Sequence, residues 1–168
     1  IDNDVWGTDV TFGFDSAVNI ATESIDRLHT TANSHKRIMI IEVMGHHAGW
    51  IALYSGVAGG GDIILIPEIP YNEKIVCGYL EKRAIAKKAY SIVVVAEGIE
   101  KPKKIKAGDY IAKVITENLD YETRVTVLGY LQRGGTPSPT DRILATRYGT
   151  HAVDLIAEDH YSEMVCII

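Results

Sequence analysis

Five runs of apolar residues without polar alternation, at 38–43, 63–66, 92–95, 125–128 and 164–168, constrain the fold of this chain more than any other feature. They are rich in Ile and Val, and each reads as a strand covered on both faces, the pattern of a parallel sheet. Between them lie stretches with helical spacing: Val18, Ala21, Ile25 and Leu28; Ile75, Tyr79 and Leu80; Ile111, Val114, Ile115 and Leu119; Leu144, Tyr148, Ala152 and Leu155. The segment 47–58 reads as a more buried helix. Strand and helix therefore alternate along the chain, which predicts an α/β domain with a doubly wound, mostly parallel sheet, helices on both faces and right-handed crossovers.

At 168 residues the chain has room for one well-buried domain and not for two full-sized ones. With 46% apolar and 23% charged residues, disorder is ruled out. The 17 Lys and Arg against 22 Asp and Glu give a net charge of -5, so no nucleic-acid partner is expected and an anionic ligand needs local arginines. Cys77 and Cys166 stand far apart with no metal or redox spacing, which suits a reducing, cytoplasmic compartment. No apolar run approaches the roughly 20 residues of a membrane span, so no membrane partner is expected. Ile1-Asp2-Asn3-Asp4 carries neither an initiator Met nor a signal sequence, and the chain reads as beginning inside a longer polypeptide.

In open α/β sheets ligands bind beyond the carboxyl ends of the strands, where helix N-termini offer free N–H groups. Three clusters should meet there: Met44-Gly45-His46-His47, Ala96-Glu97-Gly98, and Gly129 through Gly135. In the last, Arg133 beside Gly134 and Gly135, ahead of a helix starting near Pro139, suits a phosphate, since arginine offers paired donors and glycine lets backbone N–H groups approach. The alternative is a tight turn with a capping cation. Arg124 taken alone is a surface charge. Glu97 could bind sugar hydroxyls or cap the following loop. Gly59-Gly60-Gly61 follows a helix and precedes a strand, so it reads as a helix stop at the amino edge and not as a phosphate loop. No dinucleotide fingerprint or P-loop occurs, which disfavours a nicotinamide oxidoreductase. Residues 1–14 are too polar and glycine-rich for a strand and read as a functional loop. Within it Asp2 and Asp4 form an alternate-residue carboxylate pair, either a base with a metal-holding or tuning partner, or a solvated turn. His46-His47 lacks a third ligand at zinc spacing.

Ile1-Asp2-Asn3-Asp4, Gly7-Thr8-Asp9, Thr11-Phe12-Gly13-Phe14, Ile41-Glu42-Val43-Met44-Gly45, Ala96-Glu97-Gly98, and Thr126-Val127-Leu128-Gly129 through Gln132-Arg133-Gly134-Gly135 together resemble the phosphofructokinase family, in order and over nearly the full length. The chain is similar to the second half of such an enzyme. The resemblance implies residues 1–14 as a catalytic loop at the junction with a nucleotide-binding half, and 15–168 as a sugar-phosphate-binding α/β domain. It implies transfer of a phosphoryl group from ATP, or alternatively pyrophosphate, to the 1-hydroxyl of fructose 6-phosphate, with Mg2+, in glycolysis. Asp2 is then the general base and Asp4 assists through charge and the magnesium environment. Met44 and Gly45 contact the sugar, Glu97 accepts its hydroxyls, and Arg133 binds the 6-phosphate. Arg37 and Arg124 reach the 6-phosphate of a neighbouring subunit, so the resemblance implies a homodimer or homotetramer. The chain alone should be inactive.

Two positions inside this site depart from the family pattern: His46 stands where arginine is usual, and Tyr130 where histidine is common. The first exchanges a permanent cation for a group that titrates near neutrality, so turnover is expected to depend on protonated His46. Tyr130 retains a hydrogen-bonding hydroxyl that could still contact the phosphate. His29 and Ala86 occupy places where effector-binding basic residues are common, while Lys88 remains, which argues against control by ADP or phosphoenolpyruvate. A noncatalytic sugar-phosphate-binding subunit is the alternative from another class.

Overall fold

The computed structural model of the chain describes residues 5–35 and 37–168. Its elements are α1 (Phe14–His35), β1 (Ile38–Val43), α2 (Trp50–Ala58), β2 (Ile63–Leu65), α3 (Glu73–Ile85), β3 (Ser91–Ala96), α4 (Ala107–Asn118), β4 (Thr123–Val127), a short 3-10 helix (Gly129–Arg133) and α5 (Pro139–Ala157). Among the described residues the strands form one four-stranded sheet in the order β2-β3-β1-β4, with every pairing parallel. Every residue of β1 and β3 is buried, as the unalternated runs require. The outer strands β2 and β4 are only partly covered.

Helices α1 and α2 pack on each other and on the sheet, while α3 and α4 form the second pair. At the join of α1 and α2 a side chain on Gly59 would come within 2.7 Å of Ile25, so glycine sets how closely the helices approach. Gly59 also ends α2, its N–H donating to the Ser55 carbonyl, and the glycine run turns the chain into β2 as expected. Asn72 caps α3 through its side-chain oxygen, and Ser138 caps α5 with Pro139 at the first helical position.

Two expectations need correction. The run 164–168 is not a strand: it follows α5, pairs with no strand, and meets the rest of the chain through the Ile167 carbonyl, which accepts the Asp9 N–H at 2.9 Å. On α3 the core-facing set is Val76, Cys77 and Leu80, while Ile75 and Tyr79 face outward. The pairs 75/79 and 76/80 have the same helical spacing, so packing against α4 selects between them. Both misreadings treat an apolar side chain as a buried one.

Much apolar surface stays uncovered in the single chain. Trp6 is 97% exposed, and Phe12, Trp50, Tyr54, Leu131 and Ile143 are also exposed. Patches of this kind drive association. The chain is therefore expected to self-associate with rising concentration, and a monodisperse monomer in light scattering at high concentration would contradict this.

Candidate functional site

Strand order places the site. From β1 the chain passes across β3 to β2, and from β3 it passes across β1 to β4, so with right-handed crossovers the connections leave these adjacent strands on opposite faces of the sheet. A crevice opens at the carboxyl ends of such a pair. The backbone knits the two exits together: the Glu97 N–H donates to the Val43 carbonyl at 3.0 Å, and the Leu128 N–H after β4 donates to the Glu42 carbonyl at 3.0 Å.

Met44, Gly45 and His46 leave β1 in a sharp loop. A side chain at Gly45, whose φ is 156°, would lie 2.3 Å from the Ala48 carbonyl oxygen. His46 adopts a left-handed backbone with φ of 52°, costly for a residue with a side chain. The loop is held by side chains from both flanking exits. Glu97 Oε1 accepts the His46 N–H at 2.8 Å and the Gly45 N–H at 3.2 Å, and Gln132 Oε1 accepts the Met44 N–H at 2.7 Å. Gly98 lets the β3 exit approach, since a Cβ there would lie 2.1 Å from the His46 carbonyl oxygen. The exposed His46 ring lies against His47 with centroids 3.8 Å apart.

Arg133 ends the short helix after β4, and its guanidinium lies over the Tyr130 ring, 5.5 Å from the centroid. Tyr130 thus meets the arginine with its ring face. The structure therefore brings Met44, Gly45, His46, Glu97, Tyr130 and Arg133 to one edge of the sheet. Arg37 and Arg124 lie at the other. Arg37 precedes β1 and Arg124 is the second residue of β4, and both ion-pair with Glu122, Arg37 Nε at 2.6 Å. Asp2 and Asp4 lie outside the described residues.

The loop of residues 5–13 reaches the same edge. A cavity of about 770 Å3 lies between it and α2, lined by Trp6, Phe14, Trp50 and Tyr54 and touching Gly45. The loop is anchored where it enters α1. Asp141, buried on the first turn of α5, accepts hydrogen bonds from Gly13 N–H (2.6 Å), Ser16 N–H (2.8 Å) and the Ser16 hydroxyl (2.5 Å). It caps α1 from a distant element. Burial alone would push the Asp141 carboxyl up, but hydrogen bonds from Ser16, Gly13 and Ser138 outweigh it and hold the carboxyl below its usual range.

Because the folded value is depressed, the carboxylate stabilises the fold above the ordinary aspartate range, and that stabilisation is lost as pH falls through the folded value. Asp141→Asn is expected to lower stability at neutral pH by roughly 1–3 kcal/mol, because an amide NH2 would face the donors of Ser16 and Gly13. Denaturant unfolding from pH 7 down to 3 checks this: the gap between parent and variant should narrow on acidification.

Sequence reasoning placed Gln132 and Gly98 in the converging clusters without giving either a role of its own, and passed over Glu122 and Asp141. For Asp141 a signal existed, since Ser138-Pro139-Thr140-Asp141 has the spacing of a capping box. Its partners on α1 lie more than a hundred residues away. No spacing marks Gln132 as buried or Gly98 as a contact point.

The family model described as phosphofructokinase matches residues 1–156. Among curated relatives, the ATP-dependent 6-phosphofructokinase 3 of Bacteroides thetaiotaomicron is 61% identical over 99% of this chain and 50% of its own length. The pyrophosphate–fructose 6-phosphate 1-phosphotransferase of Streptomyces coelicolor is 50% identical over 99% of this chain and 54% of its own length. Of solved structures, phosphofructokinase from Saccharomyces cerevisiae superposes with a TM-score of 0.84 at 41% identity, covering 94% of this chain and 21% of that one. The pyrophosphate-dependent phosphofructokinase from Marinobacter aquaeolei gives a TM-score of 0.86 at 30% identity, covering 99% and 45%. The chain spans about half the length of the curated relatives it matches.

Proposed function

The chain belongs to the phosphofructokinase family, and we propose that it is the fructose 6-phosphate-binding part of a 6-phosphofructokinase that uses ATP as donor. The observation that carries this reading is the convergence of the Met44–His46 loop, Glu97 and the Arg133 turn on the crevice between β1 and β3, in a chain with such relatives.

In the proposed reaction the sugar 1-hydroxyl oxygen attacks the terminal phosphorus of the donor. Its proton passes to the Asp2 carboxylate, and the donor's bridging oxygen leaves with ADP, giving fructose 1,6-bisphosphate. Protein catalysis of such a transfer is mainly positioning and electrostatics. Arg133, steadied by the Tyr130 ring, binds the 6-phosphate. Glu97 spends Oε1 on the loop, which leaves Oε2 for a sugar hydroxyl. Asp4 adds negative charge beside the base.

Mg2+ would neutralise donor phosphate charge when bound. Among the described residues no group of three or more His, Cys, Asp and Glu stands where it could hold a metal ion. Arg37 and Arg124, at the amino edge, are assigned to the 6-phosphate of a neighbouring copy, which makes the working unit a homodimer or homotetramer. No described helix is long and apolar enough to cross a membrane.

The test is a donor assay on a family-length polypeptide containing this chain, with fructose 6-phosphate, Mg2+ and either ATP or pyrophosphate. Turnover with ATP supports the proposal. Turnover with pyrophosphate alone moves the protein to the alternative that the Streptomyces coelicolor and Marinobacter aquaeolei relatives favour. Sugar-phosphate binding without turnover would make it a noncatalytic binding subunit.

His46 provides a further prediction. Its ring is exposed beside the crevice, where we place the transferring phosphoryl group. Turnover is expected to fall at alkaline pH in the parent, and His46→Arg is expected to flatten that limb by supplying a permanent cation. An unchanged alkaline limb in the variant would remove the role.

A further inference from the structure

We infer that Gln132 is a positioning residue that fixes the sugar-contacting loop relative to the turn carrying Arg133; this rests on the function proposed above. Gln132 is 1% exposed, although its neighbours Tyr130 and Leu131 are 79% and 71% exposed. One polar side chain has been drawn into the interior from an otherwise solvent-facing turn.

Packing does not explain the choice of an amide. Gln132 Nε2 is buried and has no hydrogen-bond partner among the described residues. A buried unpaired donor is costly, and methionine would fill similar space without one. What the fold uses is the oxygen, which accepts the Met44 N–H at 2.7 Å.

That N–H belongs to a set of three. The N–H groups of Met44, Gly45 and His46 all turn inward onto side-chain oxygens, the first onto Gln132 and the next two onto Glu97. Consecutive N–H groups of this kind form a concavity suited to a negative group, and here the protein's own carboxylate and amide fill it. The loop is therefore slung between the exits of β3 and β4. Glu97 sets its place on one side and Gln132 on the other. Because Arg133 is the next residue, the arginine assigned to the phosphate and the loop assigned to the sugar keep one spacing.

The experiment uses a family-length polypeptide containing this chain as the parent and compares it with Gln132→Met, which removes the acceptor at similar length, and Gln132→Glu, which keeps an oxygen at the same reach. Backbone amide exchange is read by NMR, and fructose 6-phosphate binding by calorimetry. In Gln132→Met, exchange at Met44 should accelerate about tenfold or more and sugar-phosphate affinity should weaken about tenfold, the scale of one hydrogen bond. Gly45 and His46, held by Glu97, should keep their protection. Gln132→Glu should recover both properties at least in part. Should Gln132→Met fail to fold, Gln132→Asn, which withdraws the oxygen by one methylene, carries the same expectation.

Unchanged Met44 exchange in the acceptor-free variant overturns the inference. So does unchanged affinity once the loop is freed, or a Gln132→Glu variant no better than Gln132→Met. If the family-length parent binds no fructose 6-phosphate, the proposed function falls, and the exchange measurement alone decides whether Gln132 holds the loop.

Discussion

Asp2→Ser in a family-length polypeptide is expected to reduce turnover by about 10²–10⁴-fold, the range supplied by a positioned general base. A serine hydroxyl is too weak a base to take the proton of the sugar 1-hydroxyl, so the loss should fall on kcat. Binding of fructose 6-phosphate should change little, because the groups assigned to hold it, Glu97 and Arg133, are carried by β3 and the turn after β4. Steady-state kinetics with a parallel calorimetric titration separates the two effects. A variant that keeps parental kcat would remove the base from Asp2. A variant that loses binding along with turnover would show that the carboxylate helps to seat the sugar.

Gly98→Ala is expected to have the second largest effect, through geometry and not chemistry. The added Cβ would lie 2.1 Å from the His46 carbonyl oxygen and 3.2 Å from its carbon, so the backbone of the Met44–His46 loop has to move. Overpacking of this kind costs typically about 1–3 kcal/mol, and the obstructing atoms are backbone, which cannot rotate away. Displacing the loop pulls the Gly45 and His46 N–H groups off Glu97 and frees its carboxylate to swing. Thermal stability should drop by several degrees, and fructose 6-phosphate affinity should fall by more than tenfold. Wild-type affinity in Gly98→Ala would mean that the β3 exit and the loop are less tightly coupled than their contact distance requires.

The parts of the site differ in how readily sequence discloses them. Met44, Gly45, Glu97 and Arg133 were accessible because they follow apolar runs, and a parallel sheet sends every such exit to the same edge. Arg133 beside two glycines signalled a phosphate by chemistry alone, with a capping turn as its rival. Gln132 carried no such mark. A glutamine in a polar turn is ordinarily solvated, and this one is buried because its turn packs against α1 and the β1 exit. For Tyr130 the sequence offered a hydroxyl that could contact the phosphate, and the structure adds a contact that depends on rotamer, its ring face under the Arg133 guanidinium.

Arg37 and Arg124 illustrate the opposite case. The resemblance assigned them to a shared substrate, and the fold places them at the amino edge, closed on Glu122. One register step of β4 beside β1 decides this: Ile38 pairs with Thr123 and Met39 with Arg124, which sets both arginines at the strand starts.

What the sequence determined by itself is the layering. Ile- and Val-rich runs without polar alternation called for a parallel sheet with helices on both faces; that β1 and β3 take the fully covered central places, with β2 and β4 at the partly covered edges, came with the strand order. The glycines at 59–61, the Asn72 cap and the Ser138-Pro139 start fixed where elements end and begin, because those are local steric and hydrogen-bonding matters. Tertiary structure decided strand order, which of two equally spaced faces α3 buries, and that 164–168 is no strand. It also decided that Asp141 caps a helix far away in the chain and that Gln132 accepts the Met44 N–H. Each of these depends on which groups meet across long sequence separations, and residue spacing along one element carries no information about its partner.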